Sequence, residues 1–444
     1  MSQNRLTNES VLRLAKEKNI DFIRLQFVDI FGTMKNVAIP ACELERVLCD
    51  GMMFDGSSIE GFVRIEESDM YLRPDPATYA ALPWFESNSL ARLICDVYRP
   101  DGTPFEGDPR FALRKAVNAA EEMGYSFFVG PECEFFLFLT DASGAPTTNT
   151  HDQAGFFDLA PIDNGELARI EMVKTLTEMG FSVEAAHHEN SPGQHEIDFK
   201  YDDALRSADN IVTFKLVVKV IAKKFGLHAT FMPKPLSSEN GNGMHCNMSL
   251  FKNGANAFCD VSDANGLSKE AYWFMGGVMK HARGMAAITN PLVNSYKRLV
   301  PGYEAPVYIA WSMANRSPLV RIPDSRGART RLELRQPDPS CNPYLALAAM
   351  LVSGLDGIKN KIDPPEPVGQ NIYKMTDADL KSAGIERMPA NLHEALAALQ
   401  EDELITGALG RHVIDAFLRA KRIEWAEYSG SVHPWEIDRY LKVY

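Results

Sequence analysis

The chain has 444 residues, with 46 Lys plus Arg against 59 Asp plus Glu, a formal net charge of −13. That balance argues against a general binder of nucleic acid or anionic lipid, because such affinity comes from clustered cations that neutralise phosphates. At 45% hydrophobic and 24% charged residues the composition is that of an ordinary globular protein, neither disordered nor collagenous.

In chain order, residues 1–18 are polar and carry no apolar signal core. No stretch reaches the roughly 18 uninterrupted apolar residues of a membrane span. Seven cysteines, an odd number without a repeated pair spacing, fit reduced thiols, so a cytoplasmic protein is expected. Val11, Leu14 and Ala15 have helical spacing. Ile23, Leu25 and Phe27 alternate with Arg24 and Gln26 as in a half-buried strand, a second strand is expected over 33–39, and a third alternates Leu93, Cys95 and Val97. This predicts a small α+β domain over 1–103. Turn residues collect over 99–104, and Asp108-Pro109 offers an N-cap with Pro at the first helical position, opening a larger domain over 104–444.

In that larger region several predicted strands alternate polar and apolar side chains. Residues two apart on a strand share a face, so Glu132 and Glu134 lie together, opposite Cys133, Phe135 and Leu137. By the same rule His245, Asn247 and Ser249 oppose Cys246, Met248 and Leu250, and Arg329, Arg331, Glu333 and Arg335 oppose Thr330, Leu332 and Leu334. Glu189 and Glu196 flank a turn, Asn190 to Gln194, that can close a hairpin. Each face taken singly could be an ordinary solvated one. Together they carry Glu, His, Asn and Arg with almost no lysine. If they converge, the carboxylates need cations, and glutamate with neutral imidazole suits a hard divalent ion such as Mg²⁺ or Mn²⁺.

The basic residues cluster too: Lys297, Arg298, Arg316, Arg321, Arg326, Arg329, Arg331 and Arg335. Arginine binds carboxylate and phosphate oxygens in bidentate fashion, so this cluster beside a metal site suggests an anionic substrate and phosphoryl transfer. No Walker A sequence or convincing dinucleotide fingerprint is present. Taken alone, Glu304 between Pro301 and Pro306 reads as a loop residue, and Asp55 as a turn residue.

These segments together resemble type I glutamine synthetase, in the shorter, feedback-inhibited form of Gram-positive bacteria. The resemblance rests on Phe54-Asp55-Gly56-Ser57-Ser58, Gly130-Pro131-Glu132-Cys133-Glu134, His187-His188-Glu189, Pro192-Gly193-Gln194-His195-Glu196, Asn240-Gly241-Asn242-Gly243-Met244-His245, Asn294-Ser295-Tyr296-Lys297-Arg298, Asn315-Arg316-Ser317 and Asn342-Pro343-Tyr344. It implies an α+β fold: a β-grasp-like N-terminal domain, then a catalytic domain whose curved antiparallel sheet forms a partial barrel surrounded by helices. It also implies ligation of ammonia to L-glutamate at the expense of ATP, within a dodecamer of two hexameric rings.

For individual residues the resemblance implies one Mg²⁺ or Mn²⁺ ion on Glu134, Glu189 and Glu196, a second on Glu132, His245 and Glu333, and a third accompanying the nucleotide. Glutamate would meet Asn240, Gly241, Arg298, Arg316 and Arg335, under a flap carrying Glu304. ATP would lie near Glu184, Phe199, Lys200, Tyr201, Asn247, Met248, Ser249 and Arg331, with Arg316 and Arg321 toward its phosphates. Asp55 would reach a neighbouring subunit's site and help deprotonate ammonium. Arg64 would mediate glutamine feedback, and a MerR-type nitrogen-regulatory transcription factor would be a partner.

The chain departs from the family pattern in places. Phe156 stands where a tyrosine flanks the ammonium site, Cys133 replaces a proline, and Asn247 replaces a histidine of some relatives. Tyr373 is expected to be an unmodified surface tyrosine. Two rival readings are a ligase of the same fold that uses an organic amine such as a polyamine, and a nucleotide- and metal-binding regulator. Intact Asp55 and Glu304 favour ammonia.

Overall fold

Ile23, Leu25 and Phe27 do lie in a strand, and the computed structural model, which describes residues 6–59, 61, 69–85, 89–313, 317–369 and 372–444, gives the chain two sheets. The first contains β1 (Phe22–Val28), β2 (Met34–Pro40), β3 (Met52–Asp55), β4 (Asp69–Pro74) and β5 (Leu90–Tyr98), in the order β2-β1-β5-β4-β3. β1 runs antiparallel to β2 and parallel to β5. Val11 and Ala15, from the helix Asn8–Glu17, pack with Ile23, Leu25, Phe27 and Leu93 in its core. The alternation is incomplete: on the polar face Phe22 is exposed and Arg24 half-buried, but Gln26 is only 2% exposed, because that face is covered toward the C-terminal end of β1.

Asp108 caps the helix Pro109–Glu122, accepting from the Arg110 N–H at 2.9 Å with Pro109 in the first turn, as the sequence predicts. Arg110 itself is 2% exposed. It ties the first sheet to the rest of the chain by binding Asp75 at 2.7 Å, Asp96 at 2.6 Å and Asp209 of the helix Ala204–Lys224 at 2.9 Å.

The second sheet follows a path of seven strands: β6 (Ser126–Thr140), β7 (Val183–His188), β8 (Gln194–Phe199), β9 (Met244–Lys252), β10 (Trp311–Ser312), β11 (Val320–Arg321) and β12 (Leu332–Leu334). Their order is β10-β11-β12-β9-β6-β8-β7, and every neighbour on this path is antiparallel except the β10–β11 pair. The sheet curls into a half-barrel backed by helices. Cys133, Phe135 and Leu137 are fully buried in the core, and Phe135 meets Phe214 of the backing helix with ring centroids 6.0 Å apart. The uninterrupted apolar run Tyr344 to Val352 forms part of the buried helix Pro343–Asn360. Among the described residues no helix is long and apolar enough to cross a membrane.

The expected strand through Arg329 is corrected. Gly327, at φ +70°, starts a 3₁₀ turn that contains Arg329, and regular pairing begins only at Leu332. Arg329 is exposed and does not share the face of Glu333 and Arg335.

Candidate active site

Strand register brings the carboxylates together. Glu134 lies opposite Glu196 and Glu132 opposite Asp198 across β6 and β8. On its other edge Glu132 faces His245 of β9, while Arg321 faces Glu333 across β11 and β12. The turn after β7 delivers Glu189: its N–H donates to the Gln194 carbonyl at 2.8 Å, closing the anticipated hairpin. Gly193 makes this turn at φ +70°, where a Cβ would lie 2.9 Å from the Leu137 carbonyl oxygen.

The result is one cleft of about 240 Å³, lined by the six candidate metal ligands together with Asn240, Gly241, Arg298, Glu304, Arg321 and Arg335. Glu132, His245 and Glu333 present ligand atoms within 4.8 Å of one another, with His245 Nδ1 3.4 Å from Glu132. Burial, then the charge of Glu189, pushes the Glu134 carboxyl up to about 8. Burial, then Asp198 and Glu134, raises Glu196 well above its ordinary value. Carboxyls packed this densely lack enough positive charge of their own. The donors are oxygens and one imidazole, and the fully buried Cys133 and Cys246 occupy the opposite strand faces. This donor set fits a hard divalent cation.

The anion-binding side is built from arginines. Arg298 is buried and donates to the Gln336 and Arg335 carbonyls at 2.9 and 3.1 Å. Arg321 and Arg335 grip the two Glu333 oxygens at 2.6 and 2.5 Å. The Nε atoms of both are buried and have no hydrogen-bond partner among the described residues, as suits groups awaiting an anion. Gly241 must be glycine here, since a Cβ would sit 2.3 Å from the Pro233 carbonyl oxygen. Glu304, at φ +54°, is exposed on the loop over the cleft and takes a long hydrogen bond of 3.4 Å from Asn190.

Tyr373 is half-buried rather than a surface tyrosine, and its hydroxyl donates to the Ala305 carbonyl at 2.6 Å. It therefore anchors the segment that bears Glu304.

Of the described nucleotide candidates only Arg321 lines this cleft. Asn247 connects to it, donating to Glu132 at 2.8 Å and accepting from Arg331 at 2.9 Å. The side chains of Phe199 and Met248 belong to the core, so only their backbones remain for a ligand. Ser249 is also buried, whereas Glu184, Lys200 and Tyr201 are exposed. Asp55 is exposed at the end of β3 and does not line the cleft of its own chain; hydrogen bonds from Ser57 hold its carboxyl below the usual range. Arg64 and Arg316 lie outside the described residues.

Sequence reasoning missed Asp198, Gln194 and His187. Asp198 lines the cleft, its Oδ1 has no hydrogen-bond partner among the described residues, and burial above all raises its carboxyl to about 7. The signal was available: Gln194, Glu196 and Asp198 follow the same two-residue spacing already applied to Glu132 and Glu134. Gln194 donates to Glu134 at 3.1 Å, and His187 lies 3.6 Å from Glu189.

Comparison with known proteins agrees with this geometry. The family profile described as glutamine synthetase, catalytic domain, matches residues 106–440, and that described as glutamine synthetase, beta-Grasp domain, matches residues 19–100. The chain is 60% identical over 439 residues to a glutamine synthetase of Clostridium saccharobutylicum, covering 99% of each chain. It is 57% identical over 446 residues to one of Staphylococcus aureus, covering 100% of each. Among solved structures, a GmaS/ADP complex superposes with a TM-score of 0.89 at 35% identity, covering 97% of this chain and 99% of the other. Plasmodium falciparum glutamine synthetase does so at 0.87 and 27%, covering 98% of each. The half-barrel of acidic strands and the full-length likeness lead to one conclusion: the chain belongs to the glutamine synthetase family and is an enzyme of the ligase class.

Proposed function

We propose that the chain ligates ammonia to the γ-carboxylate of L-glutamate, consuming ATP and releasing L-glutamine, ADP and phosphate by way of γ-glutamyl phosphate. The observation that carries this reading is the meeting of Glu132, Glu134, Glu189, Glu196, His245 and Glu333 with Arg298, Arg321 and Arg335 in one cleft.

Glutamate is held by Arg298, Arg316, Arg335, Asn240 and Gly241. ATP lies toward Asn247, Arg331, the backbones of Phe199, Lys200 and Met248, and the side chains of Glu184, Tyr201 and Ser249; the relative solved with ADP supports a nucleotide in this fold. Glu134, Glu189 and Glu196 would hold one Mg²⁺ or Mn²⁺ ion, and Glu132, His245 and Glu333 a second, with a third accompanying the nucleotide. When bound, such ions supply positive charge beside the phosphoryl oxygens.

A carboxylate oxygen is a poor leaving group, so the γ-carboxylate first accepts the γ-phosphoryl of ATP. Arg316 and Arg321 spread the charge of the transferring group. Glu304, with Asp55 from a neighbouring subunit, attracts ammonium and accepts its proton; the nitrogen lone pair then attacks the carbonyl carbon of the acyl phosphate, the C–O bond to phosphate breaks, phosphate leaves with the bonding pair, and the nitrogen loses one further proton. The Glu304 segment excludes water from the acyl phosphate. Asp55 is absent from the cleft of its own chain, which supports a site shared between subunits of a homododecamer. The reading includes a cytoplasmic enzyme and glutamine feedback through Arg64; it does not extend to a transcription-factor partner.

The test is glutamine formation and phosphate release with glutamate, ATP and Mg²⁺, with and without ammonium. Ammonium-dependent release with equimolar glutamine is expected, and no release with all substrates present would overturn the reading.

A further inference from the structure

Glu304 stands between two anchored neighbours. On its C-terminal side the Ala305 carbonyl accepts from the Tyr373 hydroxyl at 2.6 Å. On its N-terminal side the half-buried Tyr303 lines the cleft and lays its ring against the Lys234 ammonium, with Nζ 3.5 Å from the ring centroid. Glu304 itself is exposed, tied to the hairpin by the 3.4 Å contact from Asn190.

Lys234 is 7% exposed and does not line the cleft. Asn294 clamps its backbone from both sides, accepting from the Lys234 N–H at 2.7 Å and donating to its carbonyl at 3.0 Å. Asn294 in turn opens the short helix Ser295–Arg298, which ends in the buried Arg298. The ammonium also donates to the Glu239 carbonyl, one residue before Asn240 and Gly241 of the cleft wall, and the Asn240 N–H donates to Ser191 Oγ at 2.9 Å. One buried cation thus reaches two cleft loops at once, the one that carries Glu304 and the one that carries Asn240 and Gly241. An ammonium withdrawn from water holds a ring face more strongly than a hydrated one does. The lysine side of this contact is fixed by its backbone clamp. The tyrosine side follows Gly302, at φ +94° on an exposed turn, so the ring is the part that can lift away.

We propose that Lys234 is a positioning residue of the ligation: its ammonium, seated against the Tyr303 ring, latches the Glu304 segment over the cleft. The inference rests on the ligation reading above. With the latch made, Glu304 stays where it meets ammonium and water is kept out. With the latch lost, water competes for the acyl phosphate. Water attacks the carbonyl carbon, the C–O bond to phosphate breaks and phosphate leaves with the bonding pair. The attacking water gives up both protons, one to phosphate and one to solvent, so glutamate is regenerated and ATP is spent without glutamine.

The full-length enzyme is assayed with glutamate, ATP and Mg²⁺ over a range of ammonium concentrations, reading phosphate and glutamine together. The wild type is expected to release them one to one. Lys234→Met, which keeps the unbranched stem and removes the charge, is expected to raise the KM for ammonium about tenfold, to change kcat less, and to release phosphate in excess of glutamine at low ammonium. Lys234→Arg keeps a cation for the ring and is expected to restore the one-to-one ratio. Tyr303→Leu is expected to match Lys234→Met, and the double variant to stay near tenfold rather than reach about a hundredfold, because the two residues make one contact. A one-to-one ratio with unchanged ammonium KM in Lys234→Met and Tyr303→Leu overturns the latch, as does an additive double variant. Lys234→Arg as uncoupled as Lys234→Met overturns the role of the cation. If Lys234→Met does not fold, Tyr303→Leu, on a surface loop, decides between the same two results. No glutamine from the wild type overturns the ligation reading instead.

Discussion

Arg321 donates to Glu333 at 2.6 Å from the directly opposed position of the neighbouring strand. A cation for phosphate and a carboxylate for a metal ion are thus set side by side by sheet register alone. The Arg321 Nε, which has no hydrogen-bond partner among the described residues, leaves part of the guanidinium for an anion. Arg321→Ala is expected to lower kcat about 10²–10³-fold, the loss typical when one preorganised donor to a developing charge is removed. Steady-state kinetics with circular dichroism checks this, and a wild-type kcat in a folded variant would remove Arg321 from the phosphoryl step.

Asp55 lies on the first sheet and Glu189 on the hairpin of the second. If each site draws these residues from different subunits, Asp55→Ala and Glu189→Ala chains are each inactive alone but regain activity when coassembled, because some sites then receive both intact residues. Coassembled particles without activity would place both groups in the same chain's site.

The acidic strand faces were legible because a two-residue spacing fixes which side chains share a face, so Glu132 and Glu134 separated from Cys133, Phe135 and Leu137 without reference to the rest of the fold. Register was not legible. That Glu132 would face both Asp198 and His245 depends on long-range pairing that one strand's sequence does not encode. Arg329 failed for a local reason: the left-handed Gly327 delays the strand. Gln26 failed for a tertiary one, since alternation reports a wet face along the whole strand and that face of β1 is covered at its C-terminal end. The Arg110 network, joining segments far apart in sequence, left no local signature.

That network makes its own prediction. Arg110 is buried between Asp75, Asp96 and Asp209, and Tyr344 donates to Asp209 at 2.7 Å. Removing this guanidinium takes the ion-pair partner from buried Asp209 and from Asp75, while Asp96 keeps Arg114 at 2.8 Å, so Arg110→Ala is expected to cost about 3–5 kcal/mol, read as a lowered urea midpoint. An unchanged midpoint would show that the cluster is not a structural clamp.

His281 gives a pH dependence remote from the cleft. Burial lowers its affinity for a proton, but bonds to Asp402 at 2.7 Å and Asp356 at 3.1 Å outweigh this and raise its pKa above the ordinary 6.5. A raised folded-state value means the stabilisation is complete below the unfolded pKa and lost as pH rises through the folded one. His281→Gln should therefore destabilise the enzyme more at about pH 6 than at about pH 9. Equal losses in melting temperature at the two pH values would refute the linkage.

The central claim, that the acidic strands hold divalent cations, is tested most directly by counting Mn²⁺ bound to the metal-stripped enzyme by electron paramagnetic resonance. Two ions per chain are expected in the wild type, with one tight site lost in His245→Ala and the other in Glu196→Gln. No bound ion in the wild type, or an unchanged count in both variants, would contradict the account.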